Sequence, residues 1–367
     1  MKTDLKKHNW LPWMRRVLHL ASLAYGQTSP NPLVGAVILD SQQRLVGEGY
    51  HSFAGKPHAE VEALSQAGSS AKGGTLLVNL EPCCHQGRTP PCTDAILKSG
   101  ISRVVIAVND PDPRVSGKGV DLLRQAGVEV VCGVLEKEAV YLNRAFIFRN
   151  QTGRPWGILK WAMSLDGRIA LPNGSSKWIS GLESRENVHS LRARCDAVIV
   201  GGRTVRIDNP LLTSRGLSKK EPLRVVLSSS LDLPIDSQLW DTKPAKTLIC
   251  YGPESDASLL DSLPNGPEKV LLEENSPFKL LELLGQKGCN QVLWECGSNL
   301  ATTAIQQDCV QEILLFLSPK LLGGISAMTP LADFGFESIE EVITLKELSS
   351  FRKGKDIVLN MLLDNHL

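Results

Sequence analysis

The sequence carries almost no excess charge. Its 40 Lys and Arg stand against 39 Asp and Glu over 367 residues, a formal net charge of +1, and the basic residues form no long run. A global field that would gather nucleic acid or an anionic membrane surface is therefore not expected. Aromatic residues are scarce too, at 5%, which argues against the stacking platforms of a single-strand binder. No run of about eighteen or more apolar residues occurs, so no membrane span is expected. The N-terminus has Lys6, Lys7, Arg15 and Arg16 but no continuous apolar stretch or small-residue cleavage site, and reads as a helix start rather than a signal peptide. The nine cysteines are odd in number and scattered, which is not a disulfide framework; it suits a reducing cytoplasm, with some thiols on metal and the rest buried. Residues 156–363 lack Gly-x-Gly-x-x-Gly, so a Rossmann fingerprint is absent, and no repeat of fixed period appears.

What is present is enough apolar material, 42%, for real cores, and a length that suggests two domains. Trp13 to Tyr25 has the spacing of an amphipathic helix. Val34 to Leu39 reads as a buried strand, with Leu45 to Gly49 as its hairpin partner. Ala59 to Ala67 and Cys92 to Ser99 are helical, and Thr75 to Leu80, Arg103 to Val108 and Val128 to Val131 are strands. This alternation predicts an α/β sandwich. A helix over Glu136 to Arg149 leads to the best linker, Asn150 to Pro155, which sets the domains at 1–149 and 150–367. In the second domain strands are expected at Trp156–Met163, Ala197–Val200, Arg224–Leu227, Thr247–Cys250, Gln291–Trp294 and Glu312–Leu317. Helices are expected at Ser184–Arg194 and Phe278–Gly285. Gly252 to Asn275, rich in Ser, Pro and Glu, reads as surface loops.

The chemistry concentrates at His58-Ala59-Glu60, Pro82-Cys83 and Cys92. One imidazole and two thiolates hold Zn²⁺ with a fourth position open for water, and the ion lowers the pKa of that water. Glu60, too close to His58 to be a fourth ligand, is placed to move protons. This is the pattern of zinc deaminases, with a longer gap between the cysteines than usual. A structural zinc would need a fourth protein ligand, which Cys84 or His85 could supply, but it gives Glu60 no purpose. A zinc-stabilised interaction module fails on the same ground and ignores the second domain. A base deaminase acting on nucleic acid would add a basic groove and stacking aromatics. His85 and Arg88 are expected to contact ligand.

Taken together, Pro30-Asn31-Pro32-Leu33-Val34-Gly35, His58-Ala59-Glu60 and the run from Glu81 to Cys92 resemble the deaminase half of the bifunctional riboflavin biosynthesis family RibD. The resemblance implies a cytidine-deaminase-like three-layer sandwich with one zinc on His58, Cys83 and Cys92, and Glu60 as proton shuttle. It implies that Asn31, His51, Arg88 and Asp110 hold the base and ribose phosphate of a diaminopyrimidinone. Asp112 stands where the family commonly has Asn.

In the second half, Leu159 to Ala170, Ser176-Lys177-Trp178-Ile179-Ser180, Val200 to Thr213 and Ser318 to Gly324 resemble the reductase half of the same family, similar in fold to dihydrofolate reductase. The resemblance implies that NADPH reduces the ribosyl to the ribityl side chain. It implies that Met163, Trp178, Thr204, Asp208, Ser229 and Gly297 touch NADPH, and that Ser176, Arg192, Leu212, Arg215 and Glu295 hold substrate. Arg192 and Arg215 make physical sense as phosphate clamps. The turn after Glu295 departs from the family's Gly-Pro-Thr-rich pattern at Cys296, Ser298 and Asn299, so the alternative is a deaminase with a degenerate reductase domain. Self-association is expected of the family. Trp10, Trp13, Trp156 and Trp161 read as packing residues, and His19 and His189 as ordinary helix-surface or core groups.

Overall fold

The computed structural model describes residues 10–85, 90–112 and 116–363. The chain divides into two units, Met1–Thr152 and Gly153–Leu367. In the first, α1 (Leu11–Ser22) precedes β1 (Gly35–Leu39), β2 (Leu45–Tyr50), α2 (Ala59–Ala67), β3 (Thr75–Leu80), α3 (Cys92–Ser99), β4 (Arg103–Val108), α4 (Lys118–Gln125), β5 (Glu129–Cys132), α5 (Glu136–Leu142) and α6 (Arg144–Thr152). The sheet order is β2-β1-β3-β4-β5. β1 runs antiparallel to β2 and β3, while β3, β4 and β5 are parallel.

Successive strand residues point to opposite faces, and here both faces are apolar. Ala36, Ile38, Leu76, Val78, Val104 and Ile106 pack with Ala59 and Ala63 of α2, Ile96 of α3 and Leu123 of α4. Val37, Leu39, Leu77, Val105 and Ala107 pack with Met14 and Val17 of α1 and Ala139 of α5. Helices therefore cover both sides, which is the three-layer sandwich expected. Full burial of Met14 and Val17 stabilises the α1 layer by about 1.5–3 kcal/mol each. A Cβ on Gly35 would stand 2.3 Å from the Val17 carbonyl oxygen, so glycine there lets α1 lie directly on β1.

Several expectations need correction. α1 ends at Ser22 and turns follow it, short of Tyr25. The stretch read as one helix from Glu136 is two, broken at Asn143, whose amide is used elsewhere: Oδ1 accepts from Leu33 N and Nδ2 donates to Leu33 O. α4 went unread, and α6 runs to Thr152, through the start of the expected linker.

The second unit contains β6 (Trp156–Ser164), α7 (Leu182–Arg192), β7 (Ala197–Gly201), α8 (Gly202–Asp208), β8 (Leu223–Leu227), β9 (Thr247–Tyr251), β10 (Glu268–Leu271), α9 (Pro277–Gln286), β11 (Gln291–Trp294), α10 (Ser298–Gln306), β12 (Glu312–Ser318), β13 (Leu345–Lys353) and β14 (Asp356–Leu363). They form one sheet in the order β10-β9-β8-β7-β11-β6-β12-β14-β13. Every pair from β10 to β12 is parallel, and the β13–β14 hairpin is added antiparallel to β12. Leu159, Ala197, Ile199, Val225, Leu248 and Val292 of the sheet pack with Leu280, Leu281 and Leu284 of α9 and Ala301 and Ala304 of α10. The Gly252–Asn275 stretch is not all loop, since it holds the edge strand β10. No described helix is long and apolar enough to cross a membrane.

Candidate active sites

In the first unit two helix starts and one strand end converge. His58 is the N-cap of α2, with extended backbone (φ −73°, ψ 159°), and its carbonyl accepts from Glu62 N at 3.1 Å. β3 delivers Glu81-Pro82-Cys83, and Cys92 opens α3 behind Pro91. The His58 Nδ1, Cys83 Sγ and Cys92 Sγ atoms lie within 4.8 Å of one another, with Nδ1 3.1 Å from Cys92 Sγ and 3.6 Å from Cys83 Sγ. The N-terminal amide of Cys92 donates to Cys83 Sγ at 3.4 Å, as the positive end of a helix dipole favours. Cys83 is drawn down to about 4 as a thiolate, by its hydrogen bond with Cys92 and then by His58. Cys92 is pushed up by that same bond and by burial. A second thiolate so close to the first requires a cation between them, and this donor set is the one zinc takes.

Glu60 stands in the first turn of α2, 3% exposed, and burial raises its carboxyl above the ordinary range. His51 is buried beside His58, ring centroids 5.4 Å apart. Its Nδ1 donates to Pro57 O at 3.0 Å and its Nε2 accepts from Asn31 Nδ2 at 3.0 Å. This fixes the neutral tautomer, and burial lowers the ring's pKa in the same sense. Asp110 sits past the end of β4 and burial pushes its carboxyl up to about 6; Oδ1 accepts from Asp112 N at 2.8 Å. Arg88 lies outside the described residues.

Two residues of this site were missed. Glu81 is buried and accepts from Asp110 N, Gly117 N and Val120 N at 3.3, 2.9 and 3.1 Å, so it holds the Asp110 loop and the start of α4. Gly119 lets α4 press on the cysteine-bearing turn, because a Cβ there would come 2.3 Å from Pro82 O. Only the invitation of Glu81 to a strand-end turn was visible in the sequence; its partners are distant.

In the second unit a cavity of about 1630 Å³ opens at the carboxyl ends of the parallel strands, where ligands bind in open α/β sheets. Trp178, Thr204, Asp208, Ser229 and Gly297 line it, as do Ser176, Arg192, Leu212, Arg215 and Glu295. Met163 is not among the lining residues; Ala162, one position earlier on β6, is. Lys160, Trp161 and Ala162 of β6 all line the cavity, and Met163 follows them directly on the same strand.

The cavity's charges are paired. Arg192, at the last turn of α7, grips Glu295 with Nε to Oε1 at 2.6 Å and Nη2 to Oε2 at 3.0 Å. Lys160 of β6 stands 3.2 Å from Glu295 Oε2. Burial would raise the Glu295 carboxyl, but Arg192 and then Lys160 outweigh it and hold it at about 2. Arg192 Nη1 donates to Thr213 O at 3.2 Å. Arg192 thus lines the cavity while it pairs with Glu295 and supports the 212–216 loop, and Arg215 stands exposed at the same cavity.

Lys160 lines the cavity too, as do Trp161 and His189, which were read as packing or ordinary helix groups. Asp166 acts at a distance. It accepts from Ser164 Oγ, Leu322 N and Gly323 N at 2.5, 3.1 and 2.6 Å, locking the turn after β6 to the loop after β12. Trp178, 62% exposed, lies under the Arg185 guanidinium at 4.4 Å, and its carbonyl accepts from Lys320 Nζ at 2.7 Å. Ser298, where the sequence departs from the family, donates its hydroxyl to Thr329 O and so ties α10 to the cavity's rim. Gly297 caps α10, and a Cβ there would meet nothing within 4 Å, so a ligand can approach that helix's free N–H groups.

Comparison with known proteins covers both units. Residues 8–108 match the cytidine and deoxycytidylate deaminase zinc-binding region, and residues 155–359 match the RibD C-terminal domain. The riboflavin biosynthesis protein RibD of Synechocystis is 51% identical over 94% of this chain and 93% of its own. The chain belongs to the RibD family. The RibD of Escherichia coli is 38% identical over 90% of this chain and 96% of its own. Among solved structures, the Thermotoga maritima diaminohydroxyphosphoribosylaminopyrimidine deaminase/5-amino-6-(5-phosphoribosylamino)uracil reductase is 34% identical, with a TM-score of 0.89 over 98% of this chain and 99% of that one. An Acinetobacter baumannii RibD is 37% identical, with a TM-score of 0.88 over 98% and 100%. As a RibD protein the chain is a bifunctional enzyme of riboflavin biosynthesis, joining a deaminase domain to a reductase domain for two consecutive steps.

Proposed function

We propose that the first step is zinc-dependent hydrolytic deamination of 2,5-diamino-6-ribosylamino-4(3H)-pyrimidinone 5′-phosphate, and the second an NADPH-dependent reduction of the ribosyl to the ribityl side chain. The convergence of His58, Cys83 and Cys92 beside the buried Glu60 is the observation that carries the first half. When bound, zinc supplies the acidity that makes water a nucleophile near neutral pH. Glu60 takes the proton of the attacking water and delivers protons to the ring nitrogen and to the leaving amine, which departs as ammonia. One carboxyl serves both directions, because acid and base roles alternate along the path, and its raised pKa suits the task. His51, fixed as a neutral acceptor toward Asn31, orients that amide toward the base; Asp110 and Arg88 complete the substrate contacts.

For the reductase, NADPH supplies the hydride. Met163, Trp178, Thr204, Asp208, Ser229 and Gly297 would hold it along the strand ends, with the N–H groups of α10 toward its pyrophosphate. Ser176, Arg192, Leu212, Arg215 and Glu295 hold the substrate, and Lys160 faces it as an ion-pair partner of Glu295. The retained pairing of Lys160, Glu295 and Arg192 favours an active reductase over a degenerate one, as does the pair of activities in the Thermotoga maritima protein's name. The cytoplasm fits nine free thiols.

Product analysis of zinc-loaded protein, with and without NADPH, tests both halves. Ammonia in both reactions and the ribityl product only with NADPH is the expected result. Arrest at the ribosylamino uracil in the presence of NADPH would make the second domain a degenerate reductase. Bound zinc without ammonia release would overturn the deaminase assignment.

A further inference from the structure

The loop that carries Arg215 into the reductase cavity has a backbone that its side chains do not favour. Asn209, Leu212 and Arg215 have φ of 40°, 56° and 56°, in the left-handed region where residues with a Cβ persist only if their surroundings impose it. The surroundings do so at each point. Asn209 Oδ1 accepts from Gln238 N at 2.8 Å, and Thr213 O accepts from Arg192 at 3.2 Å. Around Arg215 itself the agent is Glu221, just ahead of β8. Its Oε2 accepts from Ser214 N at 2.6 Å, and its Oε1 accepts from Ser214 Oγ at 2.7 Å and from Gly216 N at 3.2 Å. One carboxylate thus brackets Arg215 through the residue before it and the residue after it. Ser214 is fully buried, so its N–H and hydroxyl have no water to turn to if the carboxylate goes. Arg215 lines the cavity and Glu221 does not.

We propose that Glu221 is a positioning residue of the reductase, whose carboxylate fixes the left-handed backbone at Arg215 and so presents that guanidinium to the phosphate of the substrate. The proposal rests on the reading of Arg215 as a substrate contact. A carboxylate is the group suited to the task, since it accepts from two main-chain N–H groups and a hydroxyl at once, and charge-assisted bonds of this kind are the strong ones. The glutamine of Glu221→Gln keeps one acceptor oxygen and loses the charge.

The test is steady-state reduction of the ribosylamino uracil phosphate by the full zinc-loaded chain, comparing Arg215→Ala, Glu221→Ala, Glu221→Gln and the double alanine variant, with deamination as the internal control. Arg215→Ala and Glu221→Ala should each raise the substrate KM by roughly tenfold to a hundredfold, the scale at which small misplacements act. The KM for NADPH and deamination should stay within about twofold, and the double variant should be no worse than Arg215→Ala, as coupled residues require. A wild-type KM in Glu221→Ala, or effects that multiply in the double variant, would overturn the role of Glu221 while leaving Arg215 as a contact. An unchanged KM in Arg215→Ala would remove both. If Glu221→Ala does not fold, Glu221→Gln, alone and combined with Arg215→Ala, is judged by the same criteria.

Discussion

Cys83 and Cys92 bring together two thiols whose ionised forms repel one another beside His58, whereas Lys160, Glu295 and Arg192 gather opposite charges that satisfy one another. The first cluster is small, its atoms within 4.8 Å, and is made by two helix starts meeting one strand end. The second lies in a cavity of about 1630 Å³ and is made by residues from β6, α7 and the end of β11. A site completed by a cation can be dense, because the ion relieves the repulsion. A site that receives a large cofactor and an anionic substrate has to be roomy, and its ionic groups serve to hold loops in place between turnovers. The comparison also separates what each loss should cost: catalysis alone in one case, architecture as well in the other.

The largest effect expected is from Cys92→Ala or Cys83→Ala, which should abolish zinc binding and deamination together while NADPH-dependent reduction of supplied ribosylamino uracil continues; metal analysis beside the two assays reads this. Simultaneous loss of both activities would mean that the zinc site also supports the second unit. Glu60→Gln should retain zinc and fold and lower deamination by about 10²–10⁴-fold, the usual range for a general acid–base group. Zinc loss in that variant would return Glu60 to a structural role.

In the cavity, Glu295→Ala should destabilise the second unit by about 3 kcal/mol, because it leaves Arg192 and Lys160 unpaired in a confined space; a denaturation midpoint unchanged from wild type would break the contrast drawn above. The same ion cluster sets a pH window. Glu295 is lowered from 4.5 to about 2, so its contribution is complete above about pH 4.5 and is lost as the pH falls toward 2, in total about 3 kcal/mol by linkage. Thermal unfolding of the wild type should show that loss between those limits, and Glu295→Gln should flatten it. The smallest effect should come from Glu268→Ala, which removes a solvent-exposed ion pair with Lys287 at 2.8 Å and should change stability by less than about 1 kcal/mol.

Much of the first site was legible because its signals are local. His58 and Glu60 share a helix start, Cys83 follows a strand and Cys92 opens a helix, and each of those elements has a clear period. Glu81, Gly119 and Glu221 could not be read in the same way. Their roles lie in main-chain partners far along the chain, or in the approach of a neighbouring helix, and no spacing rule encodes either. Arg192 was placed at the substrate by its motif position, and its pairing with Glu295 emerges only when α7 and β11 are brought together. Among the strands, β10, β13 and β14 were missed. β10 and β13 lie at sheet edges, and β13 is largely exposed, so neither prints a clear apolar pattern; β14 pairs with both β12 and β13 and went unread although part of it is buried.

The strand order has a consequence in time. In the first unit β1 pairs with β2 and β3, and β3, β4 and β5 follow as sequence neighbours. In the second, β6 lies between β11 and β12, so that Trp156 pairs with Gln291 and Ile158 with Glu312. Contacts of such long sequence separation form late, and domains synthesised first generally fold first. On the ribosome the deaminase sheet can close once Cys132 has emerged, while β6 must wait with both edges bare for β11 and β12. The order of the two reactions is then also the order in which a growing chain becomes able to perform them.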